Sequence, residues 1–279
     1  MKSHILYILY RICCFLTLCA IAIPGISRTV ISKADGEPIR YASIGVINRN
    51  IGTVSDSLGR FTLTIPAEYI NDSVRISSVG YVAQTFAVKD LKNIPDTIEL
   101  SDDVIALHEI VVKPQTIEHK TAGRKSGSGF IYIEVENYKA AGQGLAIPLT
   151  VNKRAWLKEL GFTVIVNDRT LSHMKFRMNV YSGNKGVYTQ DPAIRPVYFD
   201  YNKTDLADGK FRYVFPEEIM LEQGKYYIEL EFLENFSPES FIMKSSPLTG
   251  KTRYRYASQS DWETLPFGAP LYIEYDDLK

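Results

Sequence analysis

An all-β protein built from two sandwiches is what this sequence predicts, and three observations carry that expectation. Apolar and polar residues alternate in short runs, the period of a half-buried strand, as where Phe61, Leu63 and Ile65 interleave with Arg60, Thr62 and Thr64. Gly, Pro, Asn and Asp separate the runs at short intervals. No long stretch repeats at the spacing of an amphipathic helix. At 279 residues the chain has room for two domains.

The first segment predicts an address. Residues 1–27 carry Lys2 and Arg11 but no acidic residue. They hold the apolar runs Ile5–Tyr10 and Ile12–Pro24, then the small residues Gly25 and Ser27. The second run has 13 residues, against the roughly 20 that a membrane-crossing helix needs. A short basic start followed by an apolar run and small residues fits a secretory signal peptide, with an uncleaved anchor as the alternative. Cys13, Cys14 and Cys19 all lie here, so the remainder has no disulfide, thiolate nucleophile or cysteine metal site. Leu16–Cys19 faintly resembles a lipoprotein signal, but Leu18 stands where a small residue belongs, so a lipid anchor at Cys19 is the minor reading. The expected location is the periplasm, outer membrane or cell surface, with no transmembrane span left after cleavage.

Charge excludes one class of partner. The chain has 32 basic and 32 acidic residues, and losing residues 1–27 leaves a net charge of −2. A nucleic-acid binder relying on bulk charge is not expected.

Residues 28–114 predict a seven-stranded sandwich. The runs are Thr29–Ser32, Ala42–Ile47, Arg60–Ile65, Val74–Ser77, Val82–Val88, Thr97–Leu100 and Glu109–Val112. Asp56 is placed to accept backbone N–H bonds in a turn, and Gly59 and Gly80 suit positive φ. Tyr81 follows Gly80 and would cap the sandwich end. These four are structural turn residues.

The same residues carry a resemblance. Gly36-Glu37-Pro38-Ile39 with Ala42, Gly52–Phe61, Ile76–Tyr81 and Leu107–Val112 resemble, in order, four segments of the carboxypeptidase regulatory-like domain. The resemblance implies a transthyretin-like sandwich that accompanies peptidases and has no peptidase chemistry of its own. In many Gram-negative envelope proteins such a module precedes a TonB-dependent transporter. Here only 165 residues follow Pro114, too few for a 22-stranded barrel at roughly 10 residues per strand.

Residues 115–128, polar, basic and glycine-rich, predict a flexible linker. Residues 129–279 predict a jelly-roll-like sandwich of unknown function, with alternation in Ile131–Val135, Leu160–Val166, Phe176–Tyr181, Tyr226–Phe232 and Leu271–Tyr275. Phe176–Tyr181 and Gly224–Glu231 resemble, more weakly, an uncharacterised sandwich that follows this module in secreted bacterial proteins.

Chemistry is sparse. No G-x-S-x-G elbow, P-loop or G-x-G-x-x-G occurs, and His108, His119 and His173 form no zinc motif. Glu229 and Glu231 share one strand face, as a glycosidase pair would, but an exposed sheet face with Arg177 as cross-strand partner is the favoured reading. Asp200, Asp205 and Asp208 offer loop oxygens to calcium, without the spacing of an EF-hand, and no other cofactor is expected. Tyr254, Tyr256, Trp262 and Phe267 stand among Arg253, Arg255, Gln259 and Asp261, as in a sugar-binding platform. Packing of Trp262 and Tyr256 into the sandwich is the competing reading, and for Trp262 it is the preferred one. Ser57, Ser73 and Thr97 sit in Asp-(Ser/Thr)-apolar triplets, the acceptor pattern of a periplasmic O-glycosylation. The expectation is a non-enzymatic exported envelope protein that binds a glycan or an envelope component. The alternatives are a structural, partner-binding subunit of an envelope complex and, more distantly, a glycoside hydrolase.

Overall fold

The computed structural model describes residues 25–103, 116–127, 130–135, 139–184, 187–247 and 252–278. All of its extended regular structure is β.

The first unit has strands β1 (Ile26–Ser32), β2 (Ser43–Val46), β3 (Gly52–Val54), β4 (Arg60–Leu63), β5 (Ser73–Ser77), β6 (Gln84–Ala87) and β7 (Thr97–Leu100). They form two sheets, ordered β4-β1-β7 and β3-β2-β5-β6, with β1 and β7 parallel. The alternation does what it should: in β4 Phe61 and Leu63 are buried while Arg60 and Thr62 are exposed. Val30, Ile44, Val46, Ile76 and Leu100 fill the space between the sheets.

Two boundaries differ from expectation. β1 starts at Ile26, inside the stretch assigned to the leader, because Ile26 shares the face of Val30 and pairs opposite Leu63. Gly52–Val54, read as part of a turn, is a strand paired with β2, and the turn comes one step later. The expected strand Glu109–Val112 and His108 lie outside the described residues.

The second unit comprises β8 (Ile117–Gly123), β9 (Ile131–Glu134), β10 (Gly144–Thr163), β11 (His173–Asn184), β12 (Val187–Tyr188), β13 (Val197–Asn202), β14 (Lys210–Phe232), β15 (Ile242–Pro247), β16 (Arg253–Arg255), β17 (Glu263–Thr264), β18 (Phe267–Gly268) and β19 (Leu271–Leu278). The main sheet runs β12-β11-β14-β10-β16-β17, with β13 on β11, β19 on β10 and β8 on β19; β18, β15 and β9 form a second sheet. β10 and β14, 20 and 23 residues long, stay paired through two register shifts. Such bulges bend long strands and let one ribbon serve a curved sheet. Phe162 sits at the core's centre, its ring 4.9–5.9 Å from those of Phe176, Tyr201, Phe211 and Phe241. Burying an aromatic of this size contributes roughly 1.5–3 kcal/mol.

Half of the predicted linker is a strand. Residues 117–123 pair with β19, where Lys120 binds Asp277 at 2.6 Å, and just beyond the strand Lys125 binds Glu274. The polar composition reflects an exposed edge strand rather than a flexible one. Among the described residues, no helix is long and apolar enough to cross a membrane.

Candidate functional site

The site grows from strand register. In β14, Ile228, Leu230 and Phe232 enter the core, so Glu229 and Glu231 point to the opposite face. Register then aligns Arg177 (β11), Glu231 (β14), Gly144 (β10) and Arg255 (β16) in one row, with Asn179, Glu229 and Ala146 in the next. Gly144 leaves the row open. A Cβ there would lie 1.9 Å from Glu229 Oε1, so only glycine lets that carboxylate lean across β10 toward Arg255.

The expectation of an exposed face fails here. Glu229 and Glu231 are 0% exposed, and Arg177, Asn179 and Arg255 are buried with them. The reason is that this face is covered by the first unit and by the loop after β16. The expected partner is present: Arg177 Nε donates to Glu231 Oε2 at 2.8 Å. Asn179 Nδ2 donates to both carboxylates, at 2.7 and 2.8 Å. Arg255 Nη2 reaches Glu229 Oε2 at 3.0 Å and Glu231 Oε1 at 2.9 Å. Arg255 Nε lies 2.6 Å from Glu229 Oε1 without an aligned hydrogen bond, so that contact is an ion pair only. Ser258 Oγ donates to Glu231 Oε1 at 3.3 Å. Two carboxyls and two guanidiniums thus share one buried pocket, where each ion's desolvation cost of several kcal/mol is offset by its neighbours.

Burial, reinforced by Glu231, pushes the Glu229 carboxyl up to about 7 even with Arg255 alongside. Burial acts on Glu231 as well, but there Arg177 and Arg255 overcome it and hold the carboxyl below its usual range. One acid of the pair is therefore poised to protonate near neutrality and the other stays ionised.

The cluster also joins the two units. Arg177 Nη1 donates to the Tyr41 carbonyl at 2.5 Å and Nη2 to Ser43 Oγ at 2.8 Å. Tyr41 holds that carbonyl out with φ of +54°, a left-handed conformation that costs a non-glycine residue roughly 1–2 kcal/mol. Arg75, itself buried, binds Asp191 at 2.6 and 2.8 Å and Gln259 Oε1 at 3.2 Å. Gln259 returns a bond to Ser77 Oγ at 3.0 Å, and its carbonyl accepts from Asn48 N at 3.0 Å. The Ser258 carbonyl enters a notch in the β2–β3 ribbon, where a Cβ on Gly45 or Gly52 would lie 2.0 or 2.3 Å from it. Tyr41, Val54, Ala141 and Leu233 add an apolar patch to the same junction.

The predicted sugar platform is not assembled as such. Tyr254 is buried in the main core, its hydroxyl on Gln143, because β16 turns that face inward. Phe267 is half-buried against the same core. Trp262, half-buried, lies 5.1 Å from the Arg255 guanidinium and edge-on to Tyr181, closing the ion cluster from outside. Tyr256 is exposed and meets Tyr254 edge-on at 4.7 Å. Asp56 Oδ1 accepts from Leu58 N and Arg60 N, both at 2.8 Å. Gly59 and Gly80 sit at φ of +72° and +88°, and Tyr81 packs on the first core. Ser57 and Thr97 are exposed and Ser73 is half-buried. Asp200 pairs with Lys175 at 2.7 Å, and Asp205 accepts from Asn202 at 3.1 Å. Asp200, Asp205 and Asp208 therefore do not converge, and no group of three acids or histidines able to hold a metal occurs among the described residues.

Residues 26–112 match the family model of the CarboxypepD_reg-like domain. That stretch is a carboxypeptidase regulatory-like domain. The β1–β7 sandwich lies within that match, and the second unit lies beyond it. No curated protein matches the chain. Among solved structures, one of the infectious bursal disease virus Gt strain is similar at 8% identity and a TM-score of 0.30, covering 90% of this chain and 58% of its own. The Gx strain structure is similar at 7% identity and a TM-score of 0.16, with 92% and 75% covered. The chain thus spans under three-fifths of the first viral chain, and neither likeness bears on its activity.

Proposed function

We propose that this is a non-enzymatic, exported envelope protein that binds a glycan or another envelope component through its second β-sandwich, which the regulatory-like domain holds in place. The observation that carries the reading is the fate of Glu229 and Glu231. A glycosidase needs two carboxylates flanking a sugar in an open cleft. Here the pair is 0% exposed and bound by two guanidiniums and an amide, which is the chemistry of a fastening. Among the aromatic groups at the surface, Tyr198 and Tyr256, with half-buried Trp262, suit recognition.

The test is a thermal-shift screen of the purified protein against soluble glycans. A ligand at 100 times its Kd adds about 2.7 kcal/mol, or roughly 5–11 °C for a protein of this size. Release of reducing sugar that disappears in Glu229→Gln would overturn the non-enzymatic reading. A partner-binding subunit is the second reading, favoured by Phe130, which is 96% exposed beside β9. Capture of one stoichiometric envelope protein, lost in Phe130→Ser and without any glycan shift, would establish it instead.

A further inference from the structure

An open crevice of about 360 Å³ lies between the regulatory-like domain and the second unit, within the usual range of ligand sites, about 300–1,000 Å³. Its first wall is the turn Ser78–Tyr81 with Asp102, fixed by a backbone bridge between Tyr81 and Asp102 and a bond from Asp103 N to the Gly80 carbonyl at 2.8 Å. Its second wall is Arg195, Pro196 and Tyr198, leading into β13. Through Ser78, Val79 and Pro196 it adjoins a narrower polar hollow lined by Arg177 and Asn179. Because its walls come from both units, the crevice exists only with the two docked.

Its chemistry is selective. Tyr198 is 38% exposed, with its ring 5.7 Å from that of Tyr41, so its orientation is fixed. Tyr81 contributes a second aromatic group on the opposite wall. Arg195 and Asp102 are exposed, and neither makes an ion pair among the described residues. One cation and one anion leave the crevice near neutral, which disfavours polyanions. Aromatic faces beside planar polar groups and the Ser78 hydroxyl match a sugar ring, apolar on its faces and hydroxylated around its edge. We infer that the crevice binds a short neutral saccharide, with Tyr198 as stacking platform and Arg195 and Asp102 as hydroxyl partners. This rests on the glycan reading above and moves the site from the Tyr254–Trp262 segment to the domain junction.

The experiment titrates the whole protein with neutral trisaccharides of glucose, mannose, galactose and N-acetylglucosamine, by calorimetry. At least one should bind, and Arg195→Ala and Asp102→Ala should each weaken it at least about tenfold, as loss of a charged hydrogen-bond partner does. Both positions are exposed, so Tm without sugar should not move. Tyr198→Ala should abolish binding; should it fail to fold, the other two variants still decide. Binding that survives both, or is lost only in Trp262→Ala, overturns the crevice and leaves the glycan function standing. A flat panel at millimolar sugar overturns both.

Discussion

Arg177→Ala is the change that the junction should tolerate least. It removes a buried guanidinium bonded to Glu231, the Tyr41 carbonyl and Ser43 Oγ. Glu231 would stay 0% exposed with Arg255 as its remaining cation. Removing one partner of a buried ion pair typically costs about 3–5 kcal/mol, because the other charge is left uncompensated. At roughly 2–4 °C per kcal/mol for a protein of this size, Tm should fall by about 6–20 °C. The loss should also uncouple the units, so that one cooperative urea transition becomes two when followed by near-UV circular dichroism. Pairing Arg177→Met with Glu231→Leu removes both charges and should recover a large part of the deficit. A cost below about 1 kcal/mol, the value of a surface pair, would refute the burial of this cluster.

Three further outcomes are expected. Because burial raises the Glu229 carboxyl to about 7, the folded state binds more protons than the unfolded state between about pH 4.5 and 7, so this group's contribution to stability fades as pH rises through that window. Glu229→Gln should therefore flatten the decline in urea midpoint between pH 5 and 7 and exceed the parent at pH 8, and parallel profiles would contradict this. Glu231, held low, has the opposite sign and weakens the fold only on acidification below the ordinary carboxylate range. Gly45→Ala places a methyl 2.0 Å from the Ser258 carbonyl and should cost about 1–3 kcal/mol by prying the units apart, seen as a lower Tm and a larger radius in X-ray scattering. Asp56→Ala frees two N–H groups at the β3–β4 turn, and about 1 kcal/mol lost by urea unfolding would register it.

Strand alternation made the β architecture legible, since period two depends only on which residues are apolar. The regulatory-like domain was readable because its turn residues are local: Asp56 and Gly59 act within five positions of each other. Same-face spacing also paired Glu229 with Glu231 and suggested Arg177. What spacing could not show was the cover. Ser258 and Tyr41 close over the carboxylates from 27 and well over a hundred residues away, and no local pattern encodes that encounter. Tyr254 was misplaced because an aromatic-rich stretch does not reveal which side of β16 faces inward. Residues 117–123 were misread because an edge strand with its charges paired has the composition of a linker.

The polar junction has a consequence for how the chain is made. The regulatory-like domain precedes the surface that it covers, so its Ser43, Gly45 and Ser77 are already in place when β11, β14 and β16 emerge. Until docking, the uncovered sheet face presents Arg177, Asn179, Glu229 and Glu231 to water, where ions are well solvated. A greasy interface of equal size would invite aggregation during that interval; this one lets the half-finished chain wait in solution until its partner surfaces meet.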